Sequence, residues 1–363
     1  MSAFLQVMYT VLGLMSGTSL DGLDLAICHF EEPTPGTWSG HIVAARTLTY
    51  DASMDRRLRF AHLLSGRELI FLHSEYGLYL GEVARAFMEE SGQYPDLVAS
   101  HGHTVYHEPA RGFTFQLGSG AHIAKACGRP VVCDFRSSDV AAGGQGAPLV
   151  PAGEQALFPE YGSFLNLGGM ANITLRVSEG LKAWDVAPAN YVLNRLAAAC
   201  GKPFDESGRL AASGKYLASL ALKLEEIPYY RKAPPKSLGA EDVEKQFLPL
   251  LTTEHRPEDM LHTYCRHLAG RVAAELKAYG RKAIKRILVT GGGAHNTFLM
   301  QCLVDALGSE GYQVEVPPPL LINFKEAFVF AFLGLLRWLG RPNSLALATG
   351  AKTDSSGGAV YLP

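Results

Sequence analysis

The sequence predicts an α/β protein of two duplicated domains around a central cleft, and three observations carry that prediction. The order strand, glycine turn, strand, strand, helix and strand runs through residues 7–135 and returns through 162–308. Each copy opens on a small polar turn between apolar runs, "GTSLDG" at 17–22 and "NLGGMANIT" at 166–174. At 363 residues the chain is long enough for two domains, each with its own core. We expect a first domain over 1–150 and a second over 151–363, with the extreme C-terminal segment packing back on the first.

The elements follow in order. "VMYTVLGLM" reads as a buried strand, "LDLAICHF" alternates as a second, and "HIVAARTLTY" (41–50) follows a Pro/Gly loop as a third. Residues 55–91 carry leucines at helical spacing. "DLVASHG" is a strand ending in a loop, "AHIAKACG" a short helix stopped by Gly128, and "PVVCDF" a strand. In the second copy, "GSFLNLGGMANITLRV" is strand, turn, strand, and "LKAWDVAP" is the third strand. Helices follow at "ANYVLNRLAAAC", near 215–225 and at "EDMLHTYCRHLAGRVAAELKAYG". "KRILVTGGG" is a strand entering a glycine loop that opens the helix "AHNTFLMQCLVDALG". "YYRKAPPKSLGAEDV" (229–243) reads as a long mobile loop. "AFVFAFLGLL" (327–336) reads as a buried helix, since a membrane span needs about 20 residues.

Composition narrows the function classes. Basic and acidic side chains nearly balance, 33 against 35, and no basic run stands out, so nucleic acid is not an expected partner. The six cysteines form no C-x-x-C pair, which removes a zinc ribbon and a disulfide framework. No Lys or Arg precedes the first apolar run, so neither a secretory signal nor a membrane partner is expected, and a reducing cytoplasm fits the cysteines.

Two small turns facing each other across a cleft can hold a phosphate chain from both sides, because their N–H groups approach closely. The first supplies Gly17, Thr18, Ser19, Leu20, Asp21 and Gly22, with Asp21 able to hold Mg²⁺ directly or through water. The same residues also make an ordinary hairpin turn. Gly168, Gly169 and Asn172 form the second clamp. Gly291, Gly292 and Gly293 lie between a strand and a helix, where N–H groups and a positive helix end suit a nucleotide. A Gly-Lys-Ser/Thr does not follow them, and position 296 is Asn, so neither a Walker loop nor a dinucleotide fingerprint is present.

Asp185 ends a strand just before a helix, the place for a general base at the carboxyl edge of a sheet or for a helix cap. "SHGHTVYH" groups His101, His103 and His107, either as structural residues or as polar contacts to a substrate. "CDFRSSDVAAGGQGAPLVP" (133–151) is a loop that connects domains or closes on a ligand, and its Arg136 suits a carboxylate. Glu326 precedes an apolar helix, as a dipole partner or a cleft residue.

Together "GLMSGTSLDGLD", "HGHTVYH", "DFRSSDVAAGGQGAPLVP", "NLGGMANIT", "PPKSLG", "GGGAHN" and "EAFVFAFLG" resemble the anhydro-N-acetylmuramic acid kinases, in order and over nearly the whole chain. The resemblance implies two duplicated actin-like (ribonuclease H-like) domains with a nucleotide cleft and a homodimer. It also implies ATP and Mg²⁺ as co-substrate and cofactor. The implied reaction opens 1,6-anhydro-N-acetylmuramic acid with water and phosphorylates O6, a step of cell-wall recycling. Asp185 matches the family's catalytic aspartate, and His101, His103, Arg136, Asn190 and Glu326 become the sugar-side candidates. "DVAPAN" departs from the family's Asp-Thr-Gly-Pro-Gly-Asn at Val186, Ala187 and Ala189, His103 replaces a usual Gln, and "PPKSLG" lacks a hydroxyl and an arginine. These departures point to the sugar side, which leaves another anhydro or amino sugar, or a non-catalytic ATP or sugar sensor, as alternatives.

Overall fold

The computed structural model describes residues 7–17, 20–280 and 284–363. It contains strands β1 (Met8–Ser16), β2 (Leu23–Thr34), β3 (Thr37–Leu48), β4 (Leu97–Ser100), β5 (His103–Glu108), β6 (Phe113–Leu117) and β7 (Val131–Cys133). These are followed by β8 (Ser163–Leu167), β9 (Met170–Val177), β10 (Gly180–Pro188), β11 (Arg286–Thr290), β12 (Gln313–Glu315) and β13 (Ala359–Tyr361). One compact unit holds the described residues up to Pro159 together with Phe324–Pro363, and the other is Glu160–Asn323.

The sheet of the first unit has the order β3-β2-β1-β4-β7, with β13 added outside β7. β1–β2 and β2–β3 are antiparallel, whereas β1–β4 and β4–β7 are parallel. In the second unit the order is β10-β9-β8-β11-β12. There β8–β9 and β9–β10 are antiparallel, and β8–β11 and β11–β12 parallel. Strand order and sense are therefore the same in both, as the repeated pattern predicts.

The central strand β1 is buried from Val11 to Ser16, which explains why it reads as an unbroken apolar run rather than an alternating one. The helix Pro319–Trp338 packs on it so closely that a Cβ on Gly13 would stand 2.1 Å from the Ala327 carbonyl oxygen. A Cβ on Gly334 would stand 2.5 Å from that of Ala99 in β4. Phe328 stacks on Phe30 of β2 and Phe332 packs tilted against it, with ring centroids 5.2 and 5.4 Å away. The helix passes the length and apolarity test for a membrane span, yet 67% of it is buried inside the protein.

The C-terminal segment expected to pack back on the first domain begins at Phe324, so the second unit ends at Asn323 rather than running on to 363. Residues from Phe324 onward belong to the first unit, because the helix covers β1 and β4 and because β13 pairs with β7 (Ala359↔Cys133). The helix predicted over 55–91 is also two helices, Ala52–Arg59 and Gly66–Ser91. Ser65 caps the second in a reciprocal box with Glu68, an S-x-x-E signature that stops one helix and starts the next.

Candidate active site

In the second unit, strand register builds the site. Asp185 of β10 lies opposite Asn172 of β9, Asn172 opposite Asn166 of β8, and Asn166 opposite Thr290 of β11. Directly paired residues share a face, so these four make one polar row across the sheet. The row ends where the parallel strands end, beside Gly168-Gly169 and Gly291–293, the edge at which open α/β sheets bind ligands. Asn166 and Thr290 went unread in the sequence because only the pairing puts them in line with Asp185.

Asp185 is half-buried and held at three atoms. Its N–H donates to Lys236 O (3.0 Å), its C=O accepts from the Tyr229 hydroxyl (2.7 Å), and Oδ2 accepts from the Leu238 N–H (2.9 Å). Burial raises its pKa above the ordinary value, and the Leu238 N–H pulls it back down. It does not cap the next helix: at that helix, the Ala189 and Tyr191 N–H groups donate to Gly169 O and the Asn190 N–H to Gly168 O. The segment 229–243 is correspondingly tied to the site through Tyr229, Lys236 and Leu238, where the sequence suggested a mobile loop.

The glycines divide by what a side chain would meet. Gly291 has φ +82°, and its Cβ would strike Asn166 Oδ1 at 2.5 Å. A Cβ on Gly293 would strike Leu167 at 2.7 Å. Packing therefore explains both. A Cβ on Gly292 would meet only Asn190 Nδ2, at 3.5 Å, and one on Gly169 nothing within 4 Å. No packing demand accounts for these two exposed glycines. The helix after the glycine loop does not offer a free N-terminus as expected. A 3₁₀ turn, Gly292–His295, intervenes, and Asn296 Oδ1 takes the Leu299 N–H of the helix Thr297–Gly308. Asn190 donates its amide to Leu167 O (2.9 Å), which leaves its Oδ1 for a ligand.

In the first unit the hairpin β1–β2 closes with Ser16 opposite Leu23. Thr18 and Ser19 lie outside the described residues. Leu20 has φ +59° and donates its N–H to Gly17 O (3.3 Å). Gly22 has φ +147°, and its Cβ would meet Leu48 O at 2.7 Å, so this glycine is structural. Asp21 is exposed. Burial raises the pKa of Asp24, the bond from the Thr47 hydroxyl (2.6 Å) lowers it in part, and repulsion from Asp21 adds to the rise. One exposed hard-oxygen ligand with a second carboxylate nearby suits Mg²⁺, which keeps most of its waters and takes one or two carboxylates plus phosphates. Among the described residues no three His, Cys, Asp or Glu side chains form a metal cage.

Buried His101 pairs with half-buried Arg136. His101 Nε2 accepts from Arg136 Nε (3.1 Å) and Nη2 (2.8 Å), while Nδ1 bonds Gly102 O (2.9 Å), which assigns the ring proton to Nδ1. Burial first, and then the Arg136 charge, lower the His101 pKa to about 3. Arg136 Nη1 donates to Gly146 O (2.7 Å), so two of its five N–H groups are left for a carboxylate. Its own pKa falls to about 10 by burial. Phe330 packs against His101 (centroids 4.7 Å) and lies under the Arg136 guanidinium (5.9 Å). Glu326 sits one turn earlier on the same helix and counters the Arg136 charge, which joins it to this cluster. It is the eighth residue of that helix, well past the first turn, so the dipole alternative falls away. His103 is buried, with Nδ1 3.5 Å from Ser16 Oγ, and its ring lines a cavity of about 150 Å³ with Leu20, Arg59 and His62.

The 133–151 loop is anchored by Asp139. Its carboxylate accepts from the Gly146 N–H and from the Ser344 and Thr349 hydroxyls, each at 2.7 Å. The departures in "DVAPAN" also find their place: Val186, Ala187 and Ala189 are fully buried in the core of the second unit. The expectation that they face the sugar is corrected, because Val186 and Ala187 of β10 and Ala189 just after it all pack into that core.

Two units on one sheet plan, each with a polar turn at the end of its central strands, define the actin-like class of nucleotide-handling folds to which sugar kinases belong. The family model for anhydro-N-acetylmuramic acid kinase matches residues 9–363. A protein of that name from Paramagnetospirillum magneticum is 35% identical, over 97% of this chain and 99% of its own. Another, from Methylobacterium nodulans, is 34% identical over 97% of this chain and 99% of its own. The chain belongs to the anhydro-N-acetylmuramic acid kinase family and is a kinase of the sugar-kinase fold. Among solved structures, component A of the (R)-2-hydroxyglutaryl-CoA dehydratase of Acidaminococcus fermentans aligns at TM-score 0.46 and 14% identity, over 90% of this chain and 97% of that one.

Proposed function

We propose that this enzyme opens 1,6-anhydro-N-acetylmuramic acid with water and phosphorylates O6 from ATP, giving N-acetylmuramic acid 6-phosphate for cell-wall recycling. The observation that carries this is Asp185: a half-buried carboxylate fixed at backbone N, backbone O and Oδ2, with Oδ1 free of the described residues. Oδ1 takes a proton from water as the water oxygen bonds the anomeric carbon. The bridging C1–O6 bond breaks, and O6 leaves as the acceptor oxygen. O6 then bonds the γ-phosphorus as the bond to ADP breaks. Positioning and charge neutralisation carry such a transfer.

Thr18, Ser19 and the amides of Gly17–Gly22 bind phosphate, and Asp21 would hold Mg²⁺, which would neutralise phosphate charge. In the second unit Gly168, Gly169 and Asn172 bind phosphate, and Gly291–Gly293 pack on the adenosine. The openness around Gly169 and Gly292 supports both roles. Arg136, with its two remaining N–H groups, binds the sugar's carboxylate beside His101 and Glu326, and His103 and Asn190 complete the sugar contacts.

Asp185→Asn is expected to leave ATP binding near normal and remove most turnover. Wild-type turnover in that variant would sink the base assignment. In ¹⁸O-labelled water, mass spectrometry of the product should find one solvent oxygen on the anomeric carbon. A phosphorylated product without it would mean simple hydroxyl phosphorylation.

A further inference from the structure

Glu275 lies on the helix Pro257–Tyr279 and is almost fully buried, with an ion pair to Lys236 whose side chains are 5% and 3% exposed. Its Oε1 accepts from Lys236 Nζ (2.7 Å) and its Oε2 from Trp184 Nε1 (3.2 Å). Trp184 is the chain neighbour of Asp185. Lys236 accepts the Asp185 N–H on its carbonyl and stands two residues before Leu238, whose N–H holds Asp185 Oδ2. The Lys236 ammonium also lies 5.1 Å over the ring of Tyr229, whose hydroxyl holds the Asp185 carbonyl. Each of these three bonds to Asp185 thus comes from a segment that Glu275 reaches directly or through Lys236. No helix or strand stiffens the stretch from Lys232 to Gly239. A buried ion pair adds little net stability over an apolar pair of similar size, so its presence here calls for a geometric reason.

We propose that Glu275 is a positioning residue for Asp185: by gripping Trp184 on one side and Lys236 on the other, it sets where the Leu238 N–H meets the Asp185 carboxylate. The proposal rests on the reading of Asp185 as the base. The charged groups that act on Tyr229, whose hydroxyl holds the Asp185 carbonyl, are Asp185 itself, Glu275 from its helix and Asp242 from the helix Ala240–Gln246, with the Lys236 ammonium over the ring; β9 presents the neutral Asn172 opposite Asp185.

Glu275→Gln strands a buried ammonium, so the second variant is Lys236→Met with Glu275→Leu, which removes both charges and keeps the volume. ATP-dependent turnover of 1,6-anhydro-N-acetylmuramic acid is measured against pH, with Asp185→Asn alongside. A small displacement of a catalytic group costs much rate, so kcat is expected to fall about tenfold or more while KM for ATP stays within about twofold. The acid limb of the kcat profile is expected to move to higher pH, because the bond that lowers the Asp185 pKa is weakened. A folded double variant with wild-type kcat, or with lower kcat but an unmoved acid limb, overturns the proposal. Wild-type turnover in Asp185→Asn overturns the base assignment instead. Hydrogen exchange on the wild-type protein decides the matter if neither variant folds. The Leu238 and Asp185 amides should be as protected as those of β9, and exchange at open-loop rates at Leu238 overturns the proposal.

Discussion

His101 shows how one bond pattern fixes a protonation state. It stays neutral because the Arg136 guanidinium occupies its acceptor nitrogen and burial penalises a second positive charge. Its folded pKa, about 3, lies below the unfolded value, so the unfolded state binds the extra proton as pH falls below about 6.5. Stability is thus lost with acidification down to about pH 3 and is unaffected by this group at neutral pH. His101→Gln keeps an acceptor and does not titrate. Denaturant melts should show the wild type losing about 2 kcal/mol more than this variant between pH 7 and 5. An equal loss in both would refute the assignment. Gly169 makes the opposite case, a residue that packing leaves unconstrained. Gly169→Ala should change unfolding free energy by less than about 0.5 kcal/mol while raising the KM for ATP. The sequence showed both residues as candidates. It could not show that Gly169 is open whereas Gly291 and Gly293 are filled by their neighbours, since that depends on contacts from strands far away in the chain.

Long, strongly patterned elements were legible at the scale of strands and helices: β1, β2, β8, β9, β10 and the helix Pro257–Tyr279 all lie where the pattern puts them. The missed pieces have physical causes. β12 and β13 are three residues each, too short to show a period, and exist because β11 and β7 offer them an edge. The hairpin β5–β6 carries His103, His107 and other polar residues and reads as a loop until its pairing is seen. The helix Pro319–Trp338 owes its position to the absence of side chains at Gly13 and Gly334. Gly13→Ala forces the helix away from β1, and overpacking of this kind costs about 1–3 kcal/mol. A shift in denaturation midpoint without a change in slope would report it, and an unshifted midpoint would contradict the close packing.

For the whole molecule the second unit is one continuous stretch, and the first is made of two separated ones. A fragment of residues 160–323 should therefore melt cooperatively. Residues 1–159 alone should not, because the helix over β1 and β4 and the strand beside β7 are missing, while 1–159 joined through a short linker to 324–363 should. Calorimetry of the three fragments checks this, and a cooperative melt of 1–159 alone would contradict it. The sequence carries the return of the extreme C-terminal segment to the first domain but not its start at Phe324, since nothing local in "EAFVFAFLG" says which core it fills.

The divided first unit also sets a schedule for biogenesis. When residue 159 leaves the ribosome, the unit still lacks its last forty residues, and 204 more must be made before they emerge. At about 5–20 residues per second that is a wait of roughly 10–40 s. The inserted unit can finish folding meanwhile, but β1 has no helix to cover it and β7 has a bare edge, the kind of surface that recruits chaperones or aggregates.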